Sequence, residues 1–258
     1  MSHGGSFPRM PSASSAGAPT PPVRQPAPWR RPVAIGVGVV GLAIYNWWIP
    51  VAVSGRLVTT PDELFSDLEA SGRPDAVLLQ HLDLAAGLVL LVALLLRGPV
   101  ARGLRRYEWP LLLAFAISGA VGGQFSYACP EGLSASCRAA EWRLALPHHH
   151  YVHMLAGVAE FVFATVAVYL AWQRTRPQES AVTRTVRWTA RALVLAYPVL
   201  GFAYLTDRFG AFVEPVFFTC FSAIVAVELL ESDQRAPAAP AAVVAHARQV
   251  LHRVLPHG

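Results

Sequence analysis

Long apolar stretches separated by short polar ones dominate the chain from residue 32 to residue 230. Six of them, 32–53, 76–96, 109–128, 151–172, 188–205 and 212–230, are almost unbroken. A helix crossing the hydrocarbon layer of a bilayer needs roughly 20 such residues. The pattern therefore predicts an all-α, polytopic membrane protein built as a six-transmembrane-helix bundle over 30–231. Trp47, Trp48, Trp109, Tyr127, Tyr151, Trp172 and Trp188 stand at the edges of these runs, where amphipathic rings anchor helices at the interface. The first run is too long for the apolar region of a signal peptide, although Ala52-Val53-Ser54 imitates a cleavage site.

Outside the runs, residues 1–29 are rich in Ser, Gly, Pro and Ala and predict a disordered tail. Residues 232–258 form a second tail. In it Val243, Val244, Ala247, Val250, Leu251 and Val254 recur at helical spacing, which suits an amphipathic helix on a membrane surface or a weakly structured end.

Composition agrees with the pattern. The 258 residues are 54% hydrophobic and only 14% charged, with a mean hydropathy of +0.40. An ordinary soluble domain carries about a quarter charged residues, so a water-soluble enzyme is excluded, and so is a disordered chain. All 21 basic residues are arginine, and against 16 acidic ones they give a net charge of +5. Because they flank apolar runs and form no continuous patch, the partner they imply is the lipid bilayer and not nucleic acid. Sixteen fall in the segments 1–31, 97–108, 174–191 and 231–258, whereas Arg56, Arg73, Arg138, Arg143 and Arg208 fall in the others. Positive residues favour the cytoplasmic face, which predicts a cell-membrane protein with both termini inside and loops 54–75, 129–147 and 206–211 outside.

With that topology the polar residues acquire meaning. Cys129 and Cys137 share an outward loop, where such a pair tends to oxidise to a disulfide; a metal pair is the alternative. Cys220 falls inside the sixth run as an inert thiol. His149 and His153 lie four residues apart and project from one helix face. His81 and Asp83 sit at a similar depth in the second run. Glu214 enters the sixth run one turn from its outer end, and Glu160 lies deeper in the fourth. Ionisable groups at membrane depth face a bundle interior or a watery cavity and find partners there.

Three readings of this layer stay open: a structural hydrogen-bonded cluster, a zinc site, and a proton or ion relay through Glu160 and Glu214. In the zinc reading His81, His149 and His153 are ligands and Asp83 a base or an orienting partner, since catalytic zinc keeps three protein ligands and a water. His81 and Asp83 are about 200° apart on a helix and cannot both point to one place. Ser66 and Asp67 read as the polar cap of a short helix in the first outward loop.

Phe65-Ser66-Asp67-Leu68, Pro74 and His81-Leu82-Asp83-Leu84-Ala85-Ala86-Gly87 resemble, together with Cys129-Pro130, Cys137, Glu141, His149 and His153, the actinobacterial members of the domain-of-unknown-function 998 family. That resemblance implies a polytopic fold of about six helices and no particular activity. A more distant likeness is to the CREST superfamily of seven-helix membrane hydrolases, which hold zinc with three histidines beside a serine and an aspartate. His149 and His153 match its HxxxH element and Asp83 its aspartate, while His81 lacks the expected serine four residues before it. The two likenesses leave three functions to weigh: an outward pocket for a lipid or small molecule from the outer leaflet, a zinc-dependent lipid amidase, and a proton-coupled transporter.

Overall fold

The computed structural model describes residues 27–53, 60, 62–99, 105–174 and 210–230, with isolated positions between 184 and 208. Most of the predicted fifth run, of which Trp188, Arg191, Ala192 and Phe202 are described and helical, both tails apart from residues 27–29, and the helix expected over 243–254 lie outside the described residues.

Eight helices and no strand occur among the described residues: α1 (Arg30–Tyr45), α2 (Trp48–Val53), α3 (Phe65–Leu68), α4 (Ala76–Arg97), α5 (Arg105–Gln124), α6 (Ala135–Trp142), α7 (His148–Arg174) and α8 (Gly210–Leu230). Segments Arg30–Val51, Ala76–Arg97 and His148–Gln173 are long and apolar enough to cross a membrane, and only 28–33% of each is buried inside the protein. Their unburied faces carry Val39, Val40, Val77, Leu88, Val92, Leu155 and Val162. A soluble protein would hide such rows, and a bilayer is their natural solvent. At 20 and 21 residues, α5 and α8 each extend about 30 Å at 1.5 Å per residue.

Helix α4 packs against both α1 and α5, and α5 packs against α7. The α4–α5 seam is made of small residues that bring backbones together. A Cβ on Gly87 would stand 2.4 Å from Ala120 N, and one on Gly123 would stand 2.2 Å from Leu84 N. In a membrane, where apolar side chains gain little by leaving lipid, such close backbone approach is a main source of helix association. Aromatic rings fill the centre: Tyr45, Phe115 and Phe221 pack edge to face, with centroids 5.7 and 5.6 Å apart along the chain of contacts. At the opposite end from α3, Arg31 donates to the Leu230 carbonyl at 2.8 Å and Arg97 to the Glu228 carbonyl at 3.3 Å. These guanidinium groups satisfy orphan carbonyls at the end of α8.

Two local features depart from the simple pattern. The first run is not one smooth helix, because the chain turns at Asn46 and Trp47 between α1 and α2. The Asn46 amide donates to Leu42 O and to Ser222 Oγ, both at 2.8 Å, so the break is tied to α8. In the first polar loop the short helix α3 is capped by its own Asp67, whose carboxylate accepts the Leu64 N–H at 3.0 Å. Ser66 takes no part in that cap.

Candidate functional site

A cavity of about 380 Å³ lies under α3, between α1, α4, α5, α7 and α8. Its walls are mostly apolar. Phe65, Phe115, Phe161, Phe217, Phe218 and Phe221 supply aromatic surface, and Gly119, Gly122 and Gly123 of α5 leave the room. Against this background stand Tyr45, Ser66, Glu69, Asp83, Tyr127, His153, Glu160 and Glu214. Counted from the helix ends at 1.5 Å per residue, Glu214, His153 and Asp83 lie about 6–10 Å in, and Glu160 about 18 Å in.

The turn at Trp47 aims its indole N–H at Asp83 Oδ1, a 2.6 Å bond that orients this carboxylate. Glu69, at the C-terminal end of α3, lies within hydrogen-bonding reach of Asp83. Two carboxyls in such contact need a shared proton. Burial pushes the Glu69 carboxyl above the ordinary carboxylate range, and the charge of Asp83 pushes it further. Glu69 is 2% exposed and its Oε2 has no hydrogen bond, while the buried Tyr45 hydroxyl lies within hydrogen-bonding reach of Glu160. Glu214 accepts the backbone N–H groups of Phe65 and Ser66, so α8 holds the start of α3 over the cavity.

His153 donates from Nδ1 to the Phe125 carbonyl at 2.6 Å, and its ring packs on Tyr127 with centroids 4.4 Å apart. His150 packs on the other side of Tyr127 at 4.7 Å. It is fully buried, accepts the Ala128 N–H on Nδ1 at 3.3 Å and donates from Nε2 to Glu141 at 3.1 Å. Both of its nitrogens are therefore occupied in holding the loop before α7. A disulfide joins Cys129 to Cys137 in that loop. Asp67 accepts the Gly132 N–H at 3.2 Å, and Ser71 donates to the Tyr127 carbonyl, so both polar segments form one cap over the cavity. Burial raises the Asp67 carboxyl to about 6, against the opposing pull of these backbone donors. Glu63, fully buried, pairs with Arg73.

Of the residues singled out from the sequence, Asp83, His153, Glu160, Glu214 and Ser66 line the cavity. His81 is exposed and His149 half-exposed; neither lines it. The three imidazoles proposed as zinc ligands are not brought together. Among the described residues the group of three acidic or imidazole side chains with ligand atoms within 4.8 Å is Glu131, Glu141 and His150, in the cap. A three-histidine zinc set does not fit this arrangement.

Sequence reasoning misses Glu69, Tyr45, Trp47 and His150 as site residues. His150 and His153 share a helix face at i, i+3 spacing, a signal as legible as the i, i+4 pair. Nothing local marks Glu69, which reaches Asp83 only because α3 folds over the bundle.

No curated protein and no solved structure matches the chain. The family described as protein of unknown function (DUF998) matches residues 39–231, which takes in the cap, the cavity and every carboxyl that lines it. By that match the chain belongs to the DUF998 family.

Proposed function

We propose that the chain is a six-span protein of the cell membrane, with both termini cytoplasmic, whose cavity faces outward and binds a small amphiphile drawn from the outer leaflet. The observation that carries this reading is the cavity: about 380 Å³, walled by phenylalanine and closed at one end by buried polar groups. Cavities of roughly 300–1,000 Å³ with apolar walls and a few convergent polar groups are the usual form of small-molecule sites. Arg30, Arg31 and Arg97, at the end away from the cap, support the orientation, as does the excess of arginine in the segments predicted to be cytoplasmic.

Photolabelling with a diazirine derivative of octanol tests the binding reading. Label should map to the cavity walls and fall sharply in Gly157→Phe, a variant at an exposed position of the cavity lining whose Cβ meets nothing within 4 Å. Label spread evenly over the lipid-facing surface, insensitive to that variant, would overturn it. The zinc-hydrolase alternative needs His81 and His149 to swing inward and reach His153. Stoichiometric zinc in the purified protein, lost in His149→Ala/His153→Ala, would favour that alternative. For orientation, a cysteine introduced in 97–108 should resist an impermeant thiol reagent in intact cells, and one introduced in 54–59 should react.

A further inference from the structure

The charge inside the cavity is one-sided. Glu69 from the end of α3, Asp83 from α4, Glu160 from α7 and Glu214 from α8 all line it, and α5 contributes glycine backbone. The chain contains no lysine, and among the described residues no arginine lines the cavity. Among those residues the imidazole there is His153, whose Nδ1 is committed to a backbone carbonyl. Asp83 lies within electrostatic range of both Glu160 and Glu214. An anionic ligand would find no basic partner among the described lining residues, and a neutral one would leave the acidic groups as they are.

One buried carboxyl oxygen on the cavity wall has nothing to bond: Glu69 Oε2 lacks a hydrogen bond, whereas the Tyr45 hydroxyl lies within hydrogen-bonding reach of Glu160. Buried polar atoms are paired in the great majority of cases, so an orphan oxygen on a cavity wall marks a place where a ligand donor fits. Around it stand the rings of Phe65 and Phe218, stacked with centroids 5.8 Å apart, and of Phe161, edge-on to Phe217 at 4.1 Å. Aromatic faces attract ammonium groups, most strongly where water is excluded.

From this juxtaposition we infer that the ligand is an organic cation, a protonated amine on a short apolar body, bound at the Glu69–Asp83 carboxyl pair in exchange for a proton. The inference rests on the proposed binding function and names its ligand class. In the empty site one proton shared between the two carboxyls leaves the pair with one negative charge. When the cation enters, that proton departs to solvent, and two carboxylates plus one cation again carry one negative charge. The exchange leaves the net charge of the cavity unchanged, so no additional uncompensated charge is buried.

Calorimetry on the full chain in lipid nanodiscs tests this with hexylammonium, hexanol and hexanesulfonate as probes. The cation should bind at least about tenfold more tightly than hexanol, the worth of one charge-assisted contact. Its affinity should climb as pH rises from about 5 to about 8, with about one proton released per cation bound. Glu69→Gln should remove both the proton release and the preference for the cation. Asp83→Asn, which keeps an oxygen for the Trp47 indole, should do the same and serves if Glu69→Gln fails to fold. Equal affinity for cation and hexanol, tighter binding of the sulfonate, or cation binding without proton release would overturn the inference while leaving a binding cavity. Failure of all three probes to bind would instead overturn the cavity reading, and this inference with it.

Discussion

Gly123→Ala is the sharpest test of how the cavity is held open. A Cβ at this position would lie 2.2 Å from Leu84 N, 2.7 Å from Leu84 Cα and 2.8 Å from Asp83 C, all of them backbone atoms of α4. Ordinary non-bonded carbon contacts begin near 3.5 Å, so the two helices must part by about 1 Å or more at this level. Overpacking of this kind costs about 1–3 kcal/mol. For a domain of 150–250 residues each kcal/mol lowers Tm by about 2–4 °C, which sets the expected drop at roughly 2–12 °C. Because the displaced segment carries Asp83, its bond from Trp47 should lengthen as well. Thermal unfolding in micelles, followed by intrinsic fluorescence, reads both effects: a lower midpoint and a shifted indole emission that disappears in the Trp47→Phe background. Gly157→Ala is the control, since its Cβ meets nothing within 4 Å and its midpoint should not fall. A Gly123→Ala protein with a wild-type midpoint and unshifted emission would refute the glycine seam.

Further predictions concern the cap. Asp67 holds its proton up to about pH 6, although its ordinary value is 3.8. Between those values the folded chain keeps a proton that the unfolded chain has lost, so stability present below pH 3.8 drains away as pH rises to about 6. At about 1.4 kcal/mol per pH unit the loss is at most roughly 3 kcal/mol, and Asp67→Asn should flatten this part of a Tm-against-pH profile. Cys137→Ser, opening a bridge across a sequence separation of 8, should cost about 2.5 kcal/mol by loop entropy, measured as a lower midpoint that matches wild type under reductant. His150→Ala strips the Ala128 N–H and Glu141 of their buried partner. It should cost roughly 2 kcal/mol, whereas His149→Ala, at a half-exposed position, should be nearly silent in the same melt.

Continuous apolar runs announce α4, α7 and α8 within a few residues of their ends, because helix length in a bilayer is set by its thickness and hydropathy alone. The cysteine pair is equally plain once its compartment is argued from arginine placement. The 200° between His81 and Asp83 foretells that only one can face inward; the structure puts Asp83 on the cavity and leaves His81 exposed. What escapes is non-local. The break at Asn46 is marked locally by Pro50, which has no N–H for the Asn46 carbonyl, but its tie to Ser222, 176 residues away, is not legible there. Likewise Glu69 sits in an ordinary polar loop until α3 folds over the bundle. The choice of His149 over His150 fails for a simpler reason: i, i+3 and i, i+4 pairs are equally good neighbours on a helix, and only the position of Tyr127 decides between them.

The carboxylate that secures the first turn of α3 comes from Glu214, 149 residues further along the chain. During synthesis the ribosome delivers α3 long before it delivers that anchor. Until α8 is in place, the first turn of α3 lacks that partner and the chamber beneath it lacks the wall that Phe217, Phe218 and Phe221 supply. The site is thus the last part of the molecule to mature, and a chain that stops short of residue 210 would possess most of its walls yet never seal them.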